Sequence, residues 1–405
     1  MTGGVNDDAV RAQYERWVYP QPIDDLGKSP YWDFGDPDFL GRAYWPQRRP
    51  REDLRILVAG CGANAAARYA FHHPKAAVVG IDISEASLAH ERMLKAKHRL
   101  DNLSLHHRRV EEAQELGETF DFIDSSGVLH HLADPAAGLK ALAGVLASDG
   151  VVYLMLYGKY GRAGIYMAQD LYRLLGLGQS PEDVATVKAS LAAFPHDHPL
   201  RRSLAGTNDL AFDAGVVDTF LHPRDRAYAV EDCYELLDAA GLALQGWLNR
   251  QAYDPASRIT RPGLRELVAR LSERQALQAL ELFDGRIATH SFYACRRERD
   301  PLQYRIDFDG RGFLDMIPVP RPGWARHAAG NILMLQPGGL GTATELRDRR
   351  AAGATLIDGR RSVRACFLEA GSKFESPEFV ASFCRDLFRQ LWLASYCDLV
   401  HPASV

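Results

Sequence analysis

The chain has 405 residues, of which 46% are hydrophobic, and its 48 Lys and Arg against 52 Asp and Glu give a formal net charge of −4. This length and hydrophobic content provide for one large core or two ordinary ones. The near balance of charge argues against a protein whose main partner is nucleic acid, because such proteins carry a basic excess.

The six cysteines are scattered along the chain, and no two of them have the CxxC spacing of a zinc knuckle. Cysteines used in this way are typical of a reducing compartment. The N-terminal stretch lacks the apolar core of a signal peptide, and no apolar run reaches the roughly 18 residues of a membrane span. We therefore expect a cytoplasmic protein with no membrane span, with leaderless export as the alternative.

The first 50 residues are rich in aromatic side chains and proline, which predicts an N-terminal arm or lid without long helices. From Leu54 onward, apolar strands alternate with amphipathic helices. The predicted strands are RILVAG, AAVVGIDIS, LSLHHR, FDFIDSSGVLHHL and GVVYLMLYG. Strands separated by helices predict βαβ units and a parallel sheet, and hence an α/β fold.

Residues 159–226 interrupt this alternation and predict a mostly helical insertion, after which helix and strand resume up to THSFYACRR. Residues 300–405 predict a small C-terminal α+β accessory domain. We thus predict an arm over 1–50, a main domain over 51–297 and the accessory domain. The apolar face of the insertion favours a homodimer; the alternative is that it packs on its own core.

The segment GCGAN, which follows the first strand, places a glycine turn before a helix, where backbone N–H groups can approach a ligand closely. A dinucleotide fingerprint would need a third glycine where Ala65 stands, and no GK[ST] of a P-loop is present. Asp82 ends the next strand, where a carboxylate can accept both hydroxyls of a ribose. Alternatively, Asp82 caps the following helix, although Ser84 is equally suited to that role.

Together these segments resemble the class I S-adenosylmethionine (SAM) dependent methyltransferases over about residues 14–297. ILVAGCGAN is similar to the first motif of that family, VVGIDIS to its second strand, and FDFIDSSGVLHHLADP and LASDGVVYLMLYG to its fourth and fifth strands. The resemblance implies a Rossmann-like seven-stranded methyltransferase sheet with SAM as cofactor.

Three positions depart from the pattern of the family. Val58 stands where many members have an acid, Asn64 replaces the third glycine, and Arg109 occupies the place of the acid that often lies near the adenine. We therefore expect Val110 or Glu111 to contact the adenine. The cofactor-binding residues implied by the resemblance are Gly60, Cys61, Gly62, Asn64, Asp82, Ile83, Val110, Glu111, Ser126 and Gly127.

The acceptor side is predicted from polar and aromatic residues near the carboxyl ends of the strands. YERWVYPQP resembles an aromatic YPxP element of several bacterial methyltransferases. The catalytic candidates are His130, His131, Tyr157 and Tyr19, and the substrate-binding candidates are Tyr14, Arg162, Tyr166, Gln169, His222, Arg226 and Tyr228. For each of them, plain packing or a hydrogen-bonded corner is the alternative. No metal is expected, because His196 and His198 lack a third ligand.

The extra surface of the insertion and of the C-terminal domain favours a macromolecular acceptor. We expect the acceptor to be the lysine side chain of a protein, with a histone as one candidate, because the chain is broadly similar to a mycobacterial methyltransferase described as acting on a host histone. The alternatives are a small-molecule or lipid-like acceptor and a SAM-binding scaffold without turnover. Nucleic-acid methylation is disfavoured, because DSSG stands where an Asn/Asp-Pro-Pro-Tyr sequence would be expected.

Overall fold

The computed structural model describes residues 3–28, 36–204, 209–337, 342–370 and 375–404. The chain divides into two compact units. The first comprises Met1–Tyr31, Glu52–Leu244 and Arg261–Arg296, and the second comprises Trp32–Arg51, Gln245–Thr260 and Arg297–Val405. The predicted arm begins with the 14-residue helix Gly3–Arg16, so the prediction that it lacks long helices is wrong, because the first proline of the chain, Pro20, comes after this helix. Residues 29–35 of the arm lie outside the described residues.

The secondary structure follows the chain in a largely alternating order. The strands are β1 Arg55–Ala59, β2 Ala77–Asp82, β3 Leu103–His107, β4 Phe120–Ser126, β5 Leu146–Tyr157, β6 Leu242–Trp247, β7 Thr289–Arg296, β8 Ile317–Pro320, β9 Trp324–Ala329, β10 Ile332–Pro337, β11 Thr344–Arg347 and β12 Cys397–Val400. The helices are α1 Gly3–Arg16, α2 Pro37–Tyr44, α3 Ala65–His72, α4 Glu85–His98, α5 Pro135–Gly144, α6 Ala163–Leu174, α7 Pro181–Ser190, α8 Pro199–Ser203, α9 Asp213–Phe220, α10 Val230–Ala239, α11 Pro255–Arg258, α12 Pro262–Val268, α13 Glu273–Asp284, α14 Asp348–Thr355, α15 Val363–Glu369 and α16 Pro377–Leu393.

The first unit is built on a seven-stranded sheet with the order β3-β2-β1-β4-β5-β7-β6. The pairs β2–β3, β1–β2, β1–β4 and β4–β5 are parallel, and β5–β7 is antiparallel. This confirms the predicted Rossmann-like methyltransferase sheet. The order of the strands reverses between β1 and β4, and ligands of such sheets bind outside the carboxyl ends of the strands at that point.

The central strands are apolar because helices cover both faces of the sheet. Ile56 and Leu57 on β1 and Phe122 and Ile123 on β4 are fully buried. Consecutive buried residues are what a parallel sheet between two helical layers requires, since both side-chain directions then point into the core.

The helical insertion has an apolar core of its own. Helices α6, α7, α8 and α9 bury Ile165, Ala168, Tyr172, Val184, Val187, Leu200, Val216, Val217 and Phe220 against one another. One side of α6 nevertheless stays exposed, where Met167, Leu171, Leu174 and Leu175 are between 40% and 86% accessible. The insertion therefore packs on itself and still presents apolar side chains to solvent.

The second unit contains the predicted α+β domain. Strands β9, β10 and β11 form one antiparallel sheet and β8 pairs with β12, while α14, α15 and α16 enclose a common core. Asp398 on β12 is buried between two arginines, Arg250 and Arg321. Among the described residues, no helix combines the length and the apolar character needed to cross a bilayer.

Candidate active site

The glycine turn follows β1 and requires glycine for two reasons. Gly60 and Gly62 have φ values of +78° and +56°, which favour glycine. A Cβ atom on Gly60 would lie 2.5 Å from a methyl group of Val128, and one on Gly62 would lie 2.8 Å from Cδ of Pro20. The turn is therefore compact on both sides, and the N-terminal arm lies directly on Gly62.

Asp82 ends β2 and faces this turn. Its Oδ2 accepts a hydrogen bond from the Gly62 N–H at 2.8 Å, and its Oδ1 accepts one from the Ser84 N–H at 2.8 Å. Burial raises the pKa of Asp82, partly offset by these N–H groups. The cap of α4 is Ser84, whose Oγ accepts from the Ser87 N–H at 3.1 Å. Asp82 is therefore not needed as the helix cap.

A cavity of about 220 Å³ lies at the carboxyl ends of β1, β2, β4 and β5. It is lined by seven of the predicted cofactor residues, namely Gly60, Gly62, Asp82, Ile83, Val110, Ser126 and Gly127. Four predicted acceptor-side residues, Tyr14, Tyr19, His131 and Tyr157, line the same cavity. One cavity is therefore shared by the glycine turn and by these four polar aromatic side chains.

Three predicted cofactor residues do not line this cavity. Cys61 is buried, and burial raises the pKa of its thiol. The Asn64 side chain donates to the carbonyl of Gln21 at 3.2 Å and so holds the arm. Glu111 lines a neighbouring cavity of about 180 Å³. Residues missed by the sequence patterns also line the main cavity, among them Val10, Arg108 and Met155.

Tyr157 ends β5 and is held on both its ring and its hydroxyl. The His130 ring stacks on it with 4.0 Å between centroids, and the Arg162 guanidinium carbon lies 3.6 Å from the ring centroid. Its hydroxyl donates to Oδ2 of Asp218 at 3.3 Å. Both nitrogens of the buried His130 ring lack a hydrogen-bond partner within the described part of the chain.

Asp218 on α9 joins residues that are distant in sequence. Its Oδ1 accepts from the Tyr14 hydroxyl at 3.0 Å, so Tyr14 and Tyr157 share one carboxylate. Nδ1 of His222 accepts the Arg224 N–H at 3.0 Å, which places the proton of the neutral ring on Nε2. Nε2 of His222 lies 3.3 Å from the Tyr14 hydroxyl oxygen and donates its proton to it.

His131 follows β4 and lines the cavity, and its ring is fixed by the backbone of Arg224. Its Nδ1 lies 2.8 Å from the carbonyl oxygen of Arg224, and because a carbonyl only accepts, Nδ1 carries the proton. Nε2 of the neutral ring is then the basic nitrogen. The ring also stacks on His222 with 3.8 Å between centroids.

The other predicted substrate residues form a corner outside the cavity lining. Gln169 donates to the carbonyl of Thr219 and to Oδ2 of Asp225, both at 2.9 Å. The Tyr228 N–H donates to the Tyr157 carbonyl at 2.8 Å, and burial raises the pKa of the Tyr228 hydroxyl to about 12. Arg226 is exposed. Arg162 and Tyr166 are in ring contact, and burial raises the pKa of Tyr166.

Two groups of potential metal ligands meet in this cluster, although the sequence spacing does not suggest either of them. They are His130, His131 and Asp225, and His131, Asp218 and His222, with ligand atoms within 4.8 Å of one another in each group. In the second group, both nitrogens of His222 are already engaged: Nδ1 accepts the Arg224 N–H, and Nε2 carries the proton that it donates to Tyr14. A metal ligand needs an unprotonated nitrogen with a free lone pair, so this arrangement does not suit a metal. In the first, the Arg162 guanidinium already lies 4.0 Å from Asp225. His198, from the HDH stretch, caps α8 by accepting the Leu200 N–H at 3.1 Å.

The sheet order, the glycine turn and the acid that ends β2 together define a SAM-binding methyltransferase fold. A methyltransferase-domain family model matches residues 57–152. An uncharacterized protein of Synechococcus sp. is 30% identical over 304 residues, which cover 71% of each chain. The ubiquinone biosynthesis O-methyltransferase of Neisseria meningitidis is 29% identical over 114 residues, covering 28% of this chain and 48% of that enzyme.

A similar fold extends along nearly the whole chain in PKMT2 from Rickettsia typhi. That structure superimposes with a TM-score of 0.68 over 92% of this chain and 78% of the other, at 15% identity. The same protein has also been solved in complex with AdoHcy, with a TM-score of 0.67. The chain belongs to the class I S-adenosylmethionine-dependent methyltransferases, and its cofactor is SAM.

Proposed function

We propose that the protein transfers the methyl group of SAM to the side-chain amine of a lysine in a protein, with His131 as the general base. The observation that carries this proposal is one cavity whose lining includes Asp82 together with His131 and Tyr157. A donor bound beside Asp82 and an acceptor bound beside His131 would share this cavity, and bringing the two reactants together is the main requirement of methyl transfer.

On the cofactor side, Asp82 is proposed to accept the ribose hydroxyls. The backbone of Gly60 and Gly62 would approach the cofactor closely, and Ser126 and Gly127 would border its methionine part. Val110 would contact the adenine. The arm, through Tyr19, would cover the cofactor, because this residue lines the same cavity.

On the acceptor side, the groups that face the cavity offer lone pairs rather than protons. Nε2 of His131 is unprotonated in the neutral ring, and the Tyr157 hydroxyl donates its proton to Asp218, away from a ligand. Such a surface suits an acceptor that brings its own N–H or O–H groups. It does not suit a carboxylate or a carbonyl oxygen.

The proposed reaction begins when Nε2 of His131 takes a proton from the acceptor ammonium, leaving a neutral amine. The nitrogen lone pair then attacks the sulfonium methyl carbon, so that a C–N bond forms as the C–S bond breaks. The sulfur keeps the electron pair of the broken bond. The products are a methylammonium group, neutral S-adenosylhomocysteine and protonated His131, which releases its proton to water.

The choice of a protein acceptor is supported by features outside the cofactor site. The match to the fold neighbour named PKMT2 covers 92% of this chain, which is more than the SAM-binding sheet and its helices alone. By contrast, the ubiquinone O-methyltransferase relative matches 28% of the chain. An O–H group of a small molecule is the second candidate, because it would meet the same lone pairs and give up its proton to the same base.

Two variants test this proposal with tritiated SAM and bacterial extracts separated into protein and small-molecule fractions. His131→Asn is expected to lower turnover by about 10²- to 10⁴-fold, with SAM affinity within about threefold of the wild type by calorimetry. The matched control is His90→Asn, because His90 also bonds a backbone carbonyl, that of Ile23 at 2.9 Å, but lies outside the cavity. It should change neither quantity by more than about threefold.

Label in the protein fraction that is found on lysine after digestion supports the proposal. Label confined to the small-molecule fraction would replace the lysine by the hydroxyl candidate. Turnover by His131→Asn at the wild-type rate would contradict the role of the base. Tight SAM binding without labelled product in any extract would favour a non-catalytic scaffold.

We also propose that α6 mediates a homodimer. Its exposed residues Met167, Leu171 and Leu174 lie on one face at helical spacing, and Leu174 is 86% accessible. Sedimentation of wild type and Leu174→Glu at micromolar concentration tests this proposal. A dimer that becomes a monomer in the variant is expected, whereas a wild type that sediments as a monomer at all concentrations would contradict it.

A further inference from the structure

Asp218 is a buried carboxylate without a formal positive partner among its hydrogen-bond donors. It is 2% accessible, and the hydrogen bonds it accepts within the described residues come from the hydroxyls of Tyr14 and Tyr157. Burial raises the pKa of Asp218, and two groups act in the opposite direction: His131 when protonated, with a ring nitrogen within 4.8 Å of an Asp218 oxygen, and Arg162, which is stacked on the Tyr157 ring. A negative charge buried in this way is costly unless a cation approaches it.

Two of the neighbouring histidines, His222 and His130, are buried, and burial lowers the pKa of both, which favours their neutral form. The tautomer of His222, fixed by the Arg224 N–H, places its Nε2–H on the Tyr14 oxygen. His222 therefore orients the Tyr14 hydroxyl and, as a neutral ring, adds no positive charge beside Asp218.

We propose that Asp218, acting through Tyr14 and Tyr157, makes the methyl-transfer end of the cavity a cation-selective subsite that receives the ammonium of a primary amine. The proposal rests on the proposed function and names its specificity. Both tyrosines line the cavity, and each donates its hydroxyl proton to Asp218. The Tyr157 oxygen therefore faces a ligand with a lone pair whose basicity the carboxylate increases.

Asp218 is a positioning residue in this proposal, because it does not line the cavity itself. Its effect reaches the ligand by charge and by the orientation of two hydroxyls. The sulfonium of SAM and the ammonium of the acceptor are both cations, whereas the thioether product is neutral. The subsite therefore favours the substrates over S-adenosylhomocysteine and assists its release.

The test uses cofactor analogues, so no acceptor needs to be known. Sinefungin carries an ammonium on the carbon that replaces the methyl-bearing sulfur, and S-adenosylhomocysteine is its neutral counterpart. Calorimetry with wild-type protein is expected to show tighter binding of sinefungin by about tenfold or more. In Asp218→Asn this preference should fall to about twofold or less, with the affinity for S-adenosylhomocysteine changed by less than about threefold.

Two further variants separate the charge from the fold. Asp218→Glu keeps the charge and is expected to retain most of the preference. Asp213→Asn removes an exposed carboxylate from the same helix, where it pairs with Lys188 at 2.8 Å, and is expected to leave the preference unchanged. Where Asp218→Asn does not fold, Asp218→Ser supplies the neutral variant.

The possible outcomes distinguish this inference from the function on which it rests. A wild type that binds sinefungin and S-adenosylhomocysteine equally would overturn the subsite, even where no variant folds. Preference retained in the neutral variants would overturn it as well. A wild type that binds neither sinefungin nor S-adenosylhomocysteine nor SAM would instead refute the proposed function, and the subsite with it.

Discussion

Replacing Asp82 by alanine separates the proposed cofactor contact from the structural role of this residue. The buried carboxylate accepts the N–H groups of Gly62 and Ser84, both at 2.8 Å, so its removal leaves two backbone donors without their partner. Hydrogen bonds to a charged group contribute about 1.5–3 kcal/mol. We expect a loss of stability of this order, together with the loss of the ribose contact.

The affinity for SAM should fall by about 10- to 150-fold, since a lost charged contact of about 1.5–3 kcal/mol corresponds to that range. This decrease would not be an artefact of unfolding. A protein with the usual stability of about 5–15 kcal/mol that loses about 3 kcal/mol remains largely folded at 25 °C. Isothermal calorimetry gives the affinity, and urea unfolding gives the stability.

The matched control is Asp134→Ala, which also removes a carboxylate from a backbone N–H. Asp134 caps α5 by accepting the Ala137 N–H at 3.0 Å and does not line the cavity. It should cost about 1 kcal/mol of stability and leave the affinity for SAM unchanged. If Asp82→Ala binds SAM within about threefold of the wild type, then the ribose assignment is wrong, whatever the change in stability.

Three more predictions concern packing and charge. Gly62→Ala should weaken SAM binding and destabilise the protein by more than Gly117→Ala. Both glycines have positive φ, but a Cβ on Gly62 would meet Pro20, whereas one on Gly117 would meet nothing within 4 Å. Thermal unfolding and calorimetry compare the two variants. Asp398→Asn should cost about 3–5 kcal/mol in urea unfolding of the full chain, because it leaves two buried arginines without their carboxylate; an unchanged midpoint would contradict this. Burial raises the pKa of Asp398, but the two arginines outweigh it and lower the pKa to about 2 from 3.8. This difference represents about 2 kcal/mol of unfolding free energy, which is fully present above pH 3.8 and lost as the pH falls through about 2. The unfolding free energy of Asp398→Asn, measured over the same pH range, should not show this loss.

The fold and the cavity lining around the glycine turn were predictable because their signals are local. The strand RILVAG, the glycine turn and Asp82 lie within 30 residues of one another, and the period of the apolar residues identifies the strands. The acceptor half was predictable only in part. His131 and Tyr157 follow strands, but Asp218 lies on a helix of the insertion, 204 residues from Tyr14 and 61 from Tyr157. No spacing in the sequence indicates such a meeting.

The second unit likewise contains contacts between residues that are distant in the sequence and could not be predicted from it. Gln245–Thr260 and Arg297–Val405 belong to one unit although 36 residues of the first unit separate them. The buried charges of Arg250 and Asp398 meet across that gap. Each residue alone resembles an ordinary surface charge in the sequence, and only the tertiary structure reveals that both are buried.

The N-terminal arm links the two halves of the site through one turn of α1. Glu15 accepts the N–H groups of Glu85 and Ala86 at 2.6 and 3.2 Å, and so places a negative charge at the N-terminus of α4, just after Asp82. The preceding residue, Tyr14, donates its hydroxyl to Asp218 on the acceptor side. A displacement of this turn therefore changes the wall of the cofactor end and the polarity of the acceptor end together. Because the arm also lies on Gly62, we expect entry of the cofactor and formation of the proposed acceptor subsite to involve the same segment.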